Sequence, residues 1–450
     1  MKKLIIVSCI VFFVSMPVVA SVATNNELSA ENAVLKQRLN RVEKELAEIK
    51  SLLLKKDTTT ATKPVSVPSL SDEDIIKISQ MVKEKDASDI KITPYGYIKA
   101  DASYDNSRVN NGNYVAWVDP EASNNNDDEF NLTANQTRIG LKISGPDSDD
   151  LNVSGVIEVD FYGGNKDGAS GNKSHPFMRH AYIKMDWPKE RFNIIAGQTW
   201  DVISPLNPGT LNYSVAWWAG NIGYRRPQIR LTKSYDLGND LDLKLEGALA
   251  RNIGTDSNIK NDPFDTAESG QDSGQPMYQG RTSLTFPMLA YKPTTVGVSG
   301  HWGKEEFDTN NKKFDTWSLN LDINQPVNEW LTIKSELFRG ENLNQFLGGI
   351  GQGINTTTFN EISTKGGWIA ASIGPFDKWR FNTGFTMESV DRDDLNASDR
   401  NVNSSIFGNM IYSFNKNTDW GLEISRWRTD YKDAADADDL RVQSSFIYKF

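Results

Sequence analysis

Two periods of hydrophobic and polar positions divide the chain, and they meet near residue 93. Over residues 24–56, Leu28, Leu35, Val42 and Ile49 recur every seven positions, and Asn32, Leu39, Leu46 and Leu53 recur every seven, four positions later. This spacing predicts an α-helical coiled coil with the first set at d and the second at a. Leucine at a with Leu, Val or Ile at d leans toward three or four strands, and Asn32 at an a position sets register. Glu31 with Lys36, Arg38 with Glu43 and Glu45 with Lys50 add opposite charges between g and e positions. Four heptads predict a rod of roughly 45 Å; one amphipathic helix packed on the rest of the protein is the alternative. Residues 57–70, with two prolines and few large side chains, predict an extended linker. Residues 71–92 predict a short second helix and a connection, with Ser71 and Asp74 at capping-box spacing and Ile75, Ile78 and Val82 on one face.

From residue 93 to 450 the period is two. In NVSGVIEVDF, Val153, Ile157, Val159 and Phe161 alternate with Ser154, Glu158 and Asp160, and LDLKLEGAL repeats the pattern with Leu241, Leu243 and Leu245 against Asp242, Lys244 and Glu246. Segments of about ten residues fit this pattern sixteen times, from 94–104 to 440–450. The phase is ambiguous in 177–186, 190–200 and 363–374. Short connections alternate with long ones, the long set being 105–133, 163–176, 201–225, 252–277, 304–312, 340–362, 390–401 and 430–439. A soluble sandwich has no reason to gather every long connection at one end. A transmembrane barrel does, and the expected fold is all-β, a sixteen-stranded antiparallel transmembrane β-barrel behind an N-terminal α-helical coiled coil. Trp187, Tyr235, Tyr291, Trp330, Trp379, Phe414 and Trp420 all fall at or beside the short turns, as a membrane interface favours.

Composition agrees with the alternation. A mean hydropathy of −0.51 beside 12 Trp, 14 Tyr and 20 Phe suits strands that show only alternate residues to lipid. Residues 1–23 read as a secretory signal peptide, with Lys2 and Lys3, an apolar run from Leu4 to Val14 and small residues at Ala20 and Ala23. Cys9 lies within that segment, so the mature chain is expected to carry neither disulfide nor thiol ligand. Loss of Lys2 and Lys3 takes the formal charge from −10 to −12, which argues against a nucleic-acid partner. No G-x-S-x-G, H-E-x-x-H or phosphate-binding glycine loop occurs, and His175, His180 and His301 are scattered. Neither catalysis, a cofactor nor a metal is expected. The acidic runs NNNDDEF, DRDD and DAADADD lack ordered ligand spacing, and read as solvated loops; the other reading is divalent cations shared with lipopolysaccharide phosphates.

Phe446, Tyr448 and the terminal Phe450 resemble the signal read by the outer-membrane assembly machinery. YGYIKADASYD, TRIGLKISGP, RHAYIKMDWP and AGQTWDVISPLNP are similar to the DcaP-type porins, best over residues 93 to about 235. That resemblance implies a homotrimer of sixteen-stranded barrels in the cell outer membrane, the coiled coil in the periplasm, and uptake of small anionic solutes, dicarboxylates included.

In such a barrel the polar face lines the lumen. By phase it holds Lys99, Asp101, Arg138, Lys142, Glu158, Asp160, Arg230, Asp242, Lys244, Glu246, Arg281, Lys334, Glu336, Arg380, Glu388 and Arg441. Two readings stand: a lumen balanced by its own ion pairs, or an anion path along Arg138, Lys142, Arg230, Lys244, Arg281, Lys334 and Arg380. The connection 201–225 is the third long one, the loop that in porins folds inward. Trp217 and Trp218 are expected to pack it against the wall, with Arg225 and Arg226 facing the constriction; ordinary packing in an exposed loop or subunit contact is the other reading. A rival from another class is an envelope-spanning structural protein whose barrel anchors a coiled coil on the peptidoglycan of the cell wall.

Overall fold

Alternation along each segment resolves into a closed wall. The computed structural model describes residues 90–450 except 125, 147–149, 164–173, 255–268, 290, 308–310 and 356. The expected signal peptide, coiled coil, linker and second helix lie outside the described residues. The sixteen strands are β1 (Lys91–Asp105), β2 in two pieces (Glu129–Thr133 and Arg138–Ser144), β3 (Asn152–Gly163), β4 (His175–Trp187), β5 (Phe192–Trp200), β6 (Arg225–Asp236), β7 (Asp242–Ala250), β8 (Met277–Phe286), β9 (Thr294–Phe307), β10 (Lys312–Pro326), β11 (Leu331–Glu341), β12 (Ser363–Phe376), β13 (Trp379–Val390), β14 (Arg400–Asn415), β15 (Thr418–Tyr431) and β16 (Ala437–Lys449). Every neighbour is antiparallel, and both pieces of β2 pair with β1. β1 also pairs with β16 from Tyr97 opposite Lys449 to Asp105 opposite Arg441, which closes the barrel and leaves no free edge.

β8 shows why the wall forms. Tyr278 and Leu284 stand exposed on the outside, while Gln279, Arg281 and Ser283 are buried inside. At the short-turn end the outer face carries aromatic clusters, such as Trp330 with Phe376 and Trp379 with Tyr412. The chain end joins this rim, Gly96 and Phe450 exchanging two backbone hydrogen bonds of 3.1 Å.

Two departures from the sequence reading are local. The connection expected over 304–312 is mostly strand: β9 runs to Phe307 and β10 starts at Lys312. There Phe307 and Phe314 pack inside at 4.7 Å while Lys304 and Asp315 face outward, so the apolar side has changed faces. A bulge in β4 pairs Glu158 with His180 and Val159 with Met178, leaving Arg179 extra.

Candidate functional site

The long connection between β5 and β6, residues 201–224, crosses the inside of the barrel. Its backbone is held by polar side chains projecting inward from strands around the wall. Val202 N–H donates to Gln279 on β8 at 2.8 Å, and Leu206 N–H to Glu336 on β11 at 2.8 Å. Leu211 and Asn212 N–H donate to the two oxygens of Glu423 on β15 at 2.6 and 3.1 Å. The Leu211 carbonyl accepts from Lys99 Nζ of β1 at 2.7 Å and Gln443 Nε2 of β16 at 3.0 Å. At the return, Asn403 of β14 donates to the Trp218 carbonyl at 2.9 Å. Gly220 then presses on the wall with φ +111°, where a Cβ would lie 2.3 Å from the Gly367 carbonyl oxygen. Ser204, Val215, Ala216 and Trp218 also adopt positive φ. Non-glycine residues tolerate that conformation where surrounding contacts over-determine it.

Two neighbouring connections complete the inner layer. Asn212 exchanges hydrogen bonds with the backbone of Val115, in residues 106–128, at 3.3 Å in both directions. Trp218 and Gly223 N–H donate to the carbonyls of Leu347 and Phe346, in residues 342–362, at 2.7 and 2.8 Å. Glu388 of β13 supports that second segment, accepting from Gly349 N–H at 2.5 Å and Thr364 Oγ1 at 3.1 Å. The loop thus carries apolar cores of its own, one joining Ile203 and Ile222 to Leu343 and Phe346.

Of the two adjacent arginines expected at the constriction, Arg226 is wholly shut off from water. Its guanidinium lies 2.8 Å from Asp201 Oδ1, donates to Gln345 Oε1 at 2.9 Å, and sits 4.1 Å above the Phe346 ring. It ties the start of the loop to its end, because a buried charge requires a partner and Asp201 supplies it. Arg225 is 2% exposed, with Trp200, Tyr224, Phe177 and Trp217 rings 4.5 to 5.8 Å from its centre. No carboxylate forms an ion pair with it among the described residues. Trp217 is buried and Trp218 half-buried, in a group of rings with Tyr114, Tyr213 and Trp117. Burial pushes the Tyr213 hydroxyl up to about 12, so it remains protonated and donates to Asp160 at 3.1 Å.

The remaining expected cations separate into paired and unpaired. Arg138 lies 3.3 Å from Glu158, Arg281 2.7 Å from Asp322, Lys244 3.1 Å from Glu246, and Arg380 2.8 Å from Asp419. Lys142, Arg230 and Lys334 form no ion pair among the described residues. Lys142 stands exposed 5.0 Å from the centre of the Tyr95 ring, while Arg230 and Lys334 are half-buried. Arg230 donates to Gln228 Oε1 at 3.0 Å and to the Trp200 carbonyl. A cavity of about 250 Å³ lies against the loop, with Trp200, Trp217, Arg230, Lys244, Glu246 and Arg281 in its lining.

Sequence phase missed Arg179. The β4 bulge turns Arg179 and His180 to the same side, breaking the alternation on which phase depends. Arg179 is buried, 2.8 Å from Glu158 and 2.6 Å from Asp160. Glu423 was legible by alternation with Leu422 and Ile424, yet nothing in the sequence marks it as a loop anchor. Among the described residues, no three His, Cys, Asp or Glu converge to hold a metal ion.

The family model of the DcaP outer membrane protein matches residues 29–261. The chain belongs to the DcaP family. Among solved structures, the outer membrane channel DcaP of Acinetobacter baumannii superposes with a TM-score of 0.64 at 20% identity, over 80% of this chain and 97% of that one. An anion-selective porin from Comamonas acidovorans superposes with a TM-score of 0.52 at 12% identity, over 80% of this chain and all of the porin. These likenesses show the shared fold, a closed antiparallel β-barrel. None of the curated proteins compared with the chain matches it.

Proposed function

We propose that the protein is a water-filled diffusion channel that passes small hydrophilic solutes across the outer membrane and favours anions, dicarboxylates among them. The observation that carries this reading is the asymmetry of lumen charge. Asp101, Glu158, Asp160, Asp201, Glu246, Asp322 and Asp419 are each ion-paired, and Glu336, Glu388 and Glu423 are buried under backbone N–H groups. Among the described residues, Lys142, Arg230 and Lys334 form no ion pair. Fixed cations along a water path replace part of a passing anion's hydration, and Arg offers a planar fork to carboxylates.

In this reading the loop 201–224 narrows the path, Trp217 and Trp218 fix its shape, and the long connections face outward from the cell. The short turns and the N-terminal segment lie in the periplasm, where the heptads join three copies. Phe446, Tyr448 and Phe450 present the chain to the assembly machinery.

The rival reading, a structural tether, is favoured by the heptads alone. Planar-bilayer recording from the full-length protein separates the two: stepwise ion conductance supports the channel, and its absence sinks it. Co-sedimentation with peptidoglycan that disappears on deleting residues 24–56 is the tether's own signature.

A further inference from the structure

Near the outer rim, where the wall leaves its apolar band, outward-facing charges on neighbouring strands meet in opposite-sign couples. Lys304 of β9 lies 2.8 Å from Asp315 of β10, and Lys313 lies 3.2 Å from Glu306 across the same pair of strands. Arg426 of β15 lies 3.4 Å from Asp438 of β16, and Arg428 lies 2.7 Å from Asp436. These couples neutralise the rim from within the chain.

Among the described residues, one position breaks the rule. Arg339 of β11 and Lys365 of β12 stand directly opposite each other in the ladder, and both are exposed. Alternation with the buried Phe338 and Thr364 turns both side chains to the outer face. Neither forms an ion pair among the described residues. The acid one step further out on that face, Glu341, accepts from Trp317 Nε1 at 2.9 Å and Ser363 Oγ at 3.3 Å. Like charges directly opposite on one face of a sheet repel, and an anion from outside the chain would relieve that repulsion. Toward the membrane the same face is apolar, with Leu337 the next outward side chain on β11, Ile369 the second on β12, and Leu319 of β10 beside Arg339, all exposed. The two cations therefore stand where apolar wall gives way to polar rim.

We propose that Arg339 and Lys365 form a docking point for the phosphate of a phosphorylated lipid in the surrounding outer leaflet, with the acyl chains lying along Leu319, Leu337 and Ile369. The charge matches, since a phosphomonoester carries about −1.5 to −2 and the couple carries two positive charges. The guanidinium supplies a planar fork to two phosphate oxygens and the ammonium a compact third contact. The site lies on the lipid side of the wall and does not depend on what passes through the lumen.

The test uses full-length protein stripped of lipid, titrated with diphosphoryl lipid A or fully dephosphorylated lipid A, with bound lipid read by native mass spectrometry. Wild type is expected to retain the diphosphoryl form about tenfold better, and R339K, which keeps the charge, to retain most of it. K365E changes the couple to the opposite-sign kind found elsewhere on the rim, so it is expected to fold and to lose that preference. Heat-resistant migration of the barrel on a gel checks the fold. Equal retention of the two lipids by wild type, or an unchanged preference in both K365E and R339Q/K365Q, overturns the proposal. Variants that fall apart into single chains while still holding the phosphorylated lipid overturn it as well, because the cations then meet a second copy of this chain.

Discussion

Glu423 on β15 accepts the N–H of Leu211 at 2.6 Å, pinning the middle of the inward loop to the wall opposite its origin. Glu336 holds Leu206 in the same manner, and Glu388 holds the segment on which the loop's return leans. The three glutamates sit on alternate strands, β11, β13 and β15. They form a rack of carboxylates that takes the place of regular pairing for an irregular backbone.

Glu423→Gln keeps the side chain's shape and replaces one of its two charged acceptors with a donor. A hydrogen bond to a charged group contributes about 1.5–3 kcal/mol, enough to populate released forms of the loop. Single-channel recording is expected to show larger and less steady currents with an unchanged barrel melting point. A current identical to wild type would place the restraint elsewhere.

Gly220→Ala tests the opposite end of the loop. The added methyl carbon meets the Gly367 carbonyl oxygen and both backbone polar atoms of Met387, at a φ that disfavours alanine. Liposome swelling should reveal faster entry of sugars too large for the wild-type channel. An unaltered size limit contradicts the close approach.

Arg226→Ala leaves Asp201 as a buried carboxylate without its guanidinium. Breaking such a pair costs about 3–5 kcal/mol. The expected result is a lowered thermal transition and a loop that becomes sensitive to protease. Because the side chain is sealed from water, Arg226→Lys should bring back part of the stability without altering ion preference. A variant as stable as wild type would mean that the pair holds nothing together.

Removal of Phe450 deletes both hydrogen bonds to Gly96 and the last ring of the C-terminal strand. Fractionation should show less heat-resistant barrel in the membrane, whereas Phe450→Tyr retains it. Normal assembly of the truncated chain would show that the terminal residue is dispensable.

Where one face meets lipid and the other meets water, hydrophobicity alternates, and the strands could be read directly, as in LDLKLEGAL. Above the membrane that reason disappears. In HWGKEEF and KKFDTW the outer face meets water and the inner face meets the loop layer, so Phe307 and Phe314 point inward and the strand ends read as a connection. The inward course of the third long connection was available from its order in the chain and its resemblance to porins. Its anchors were not, since Leu211 and Glu423 lie 212 positions apart. Burial of Arg226 depends on Gln345, 119 positions away, and the lumen placement of Arg179 depends on a bulge that no local residue announces. Sequence phase finds which side of the wall a charge occupies, but only long-range contact decides whether that charge is free.

Lumen cations left without a carboxylate set the ion preference, and the reversal potential across a bilayer in a potassium chloride gradient reads that preference. The wild-type channel should give a potential of the sign set by chloride, and the triple variant K142Q/R230Q/K334Q should move it toward zero while still conducting. A wild-type potential at zero or of the potassium sign, or a triple variant indistinguishable from wild type, would show that these cations do not select for anions.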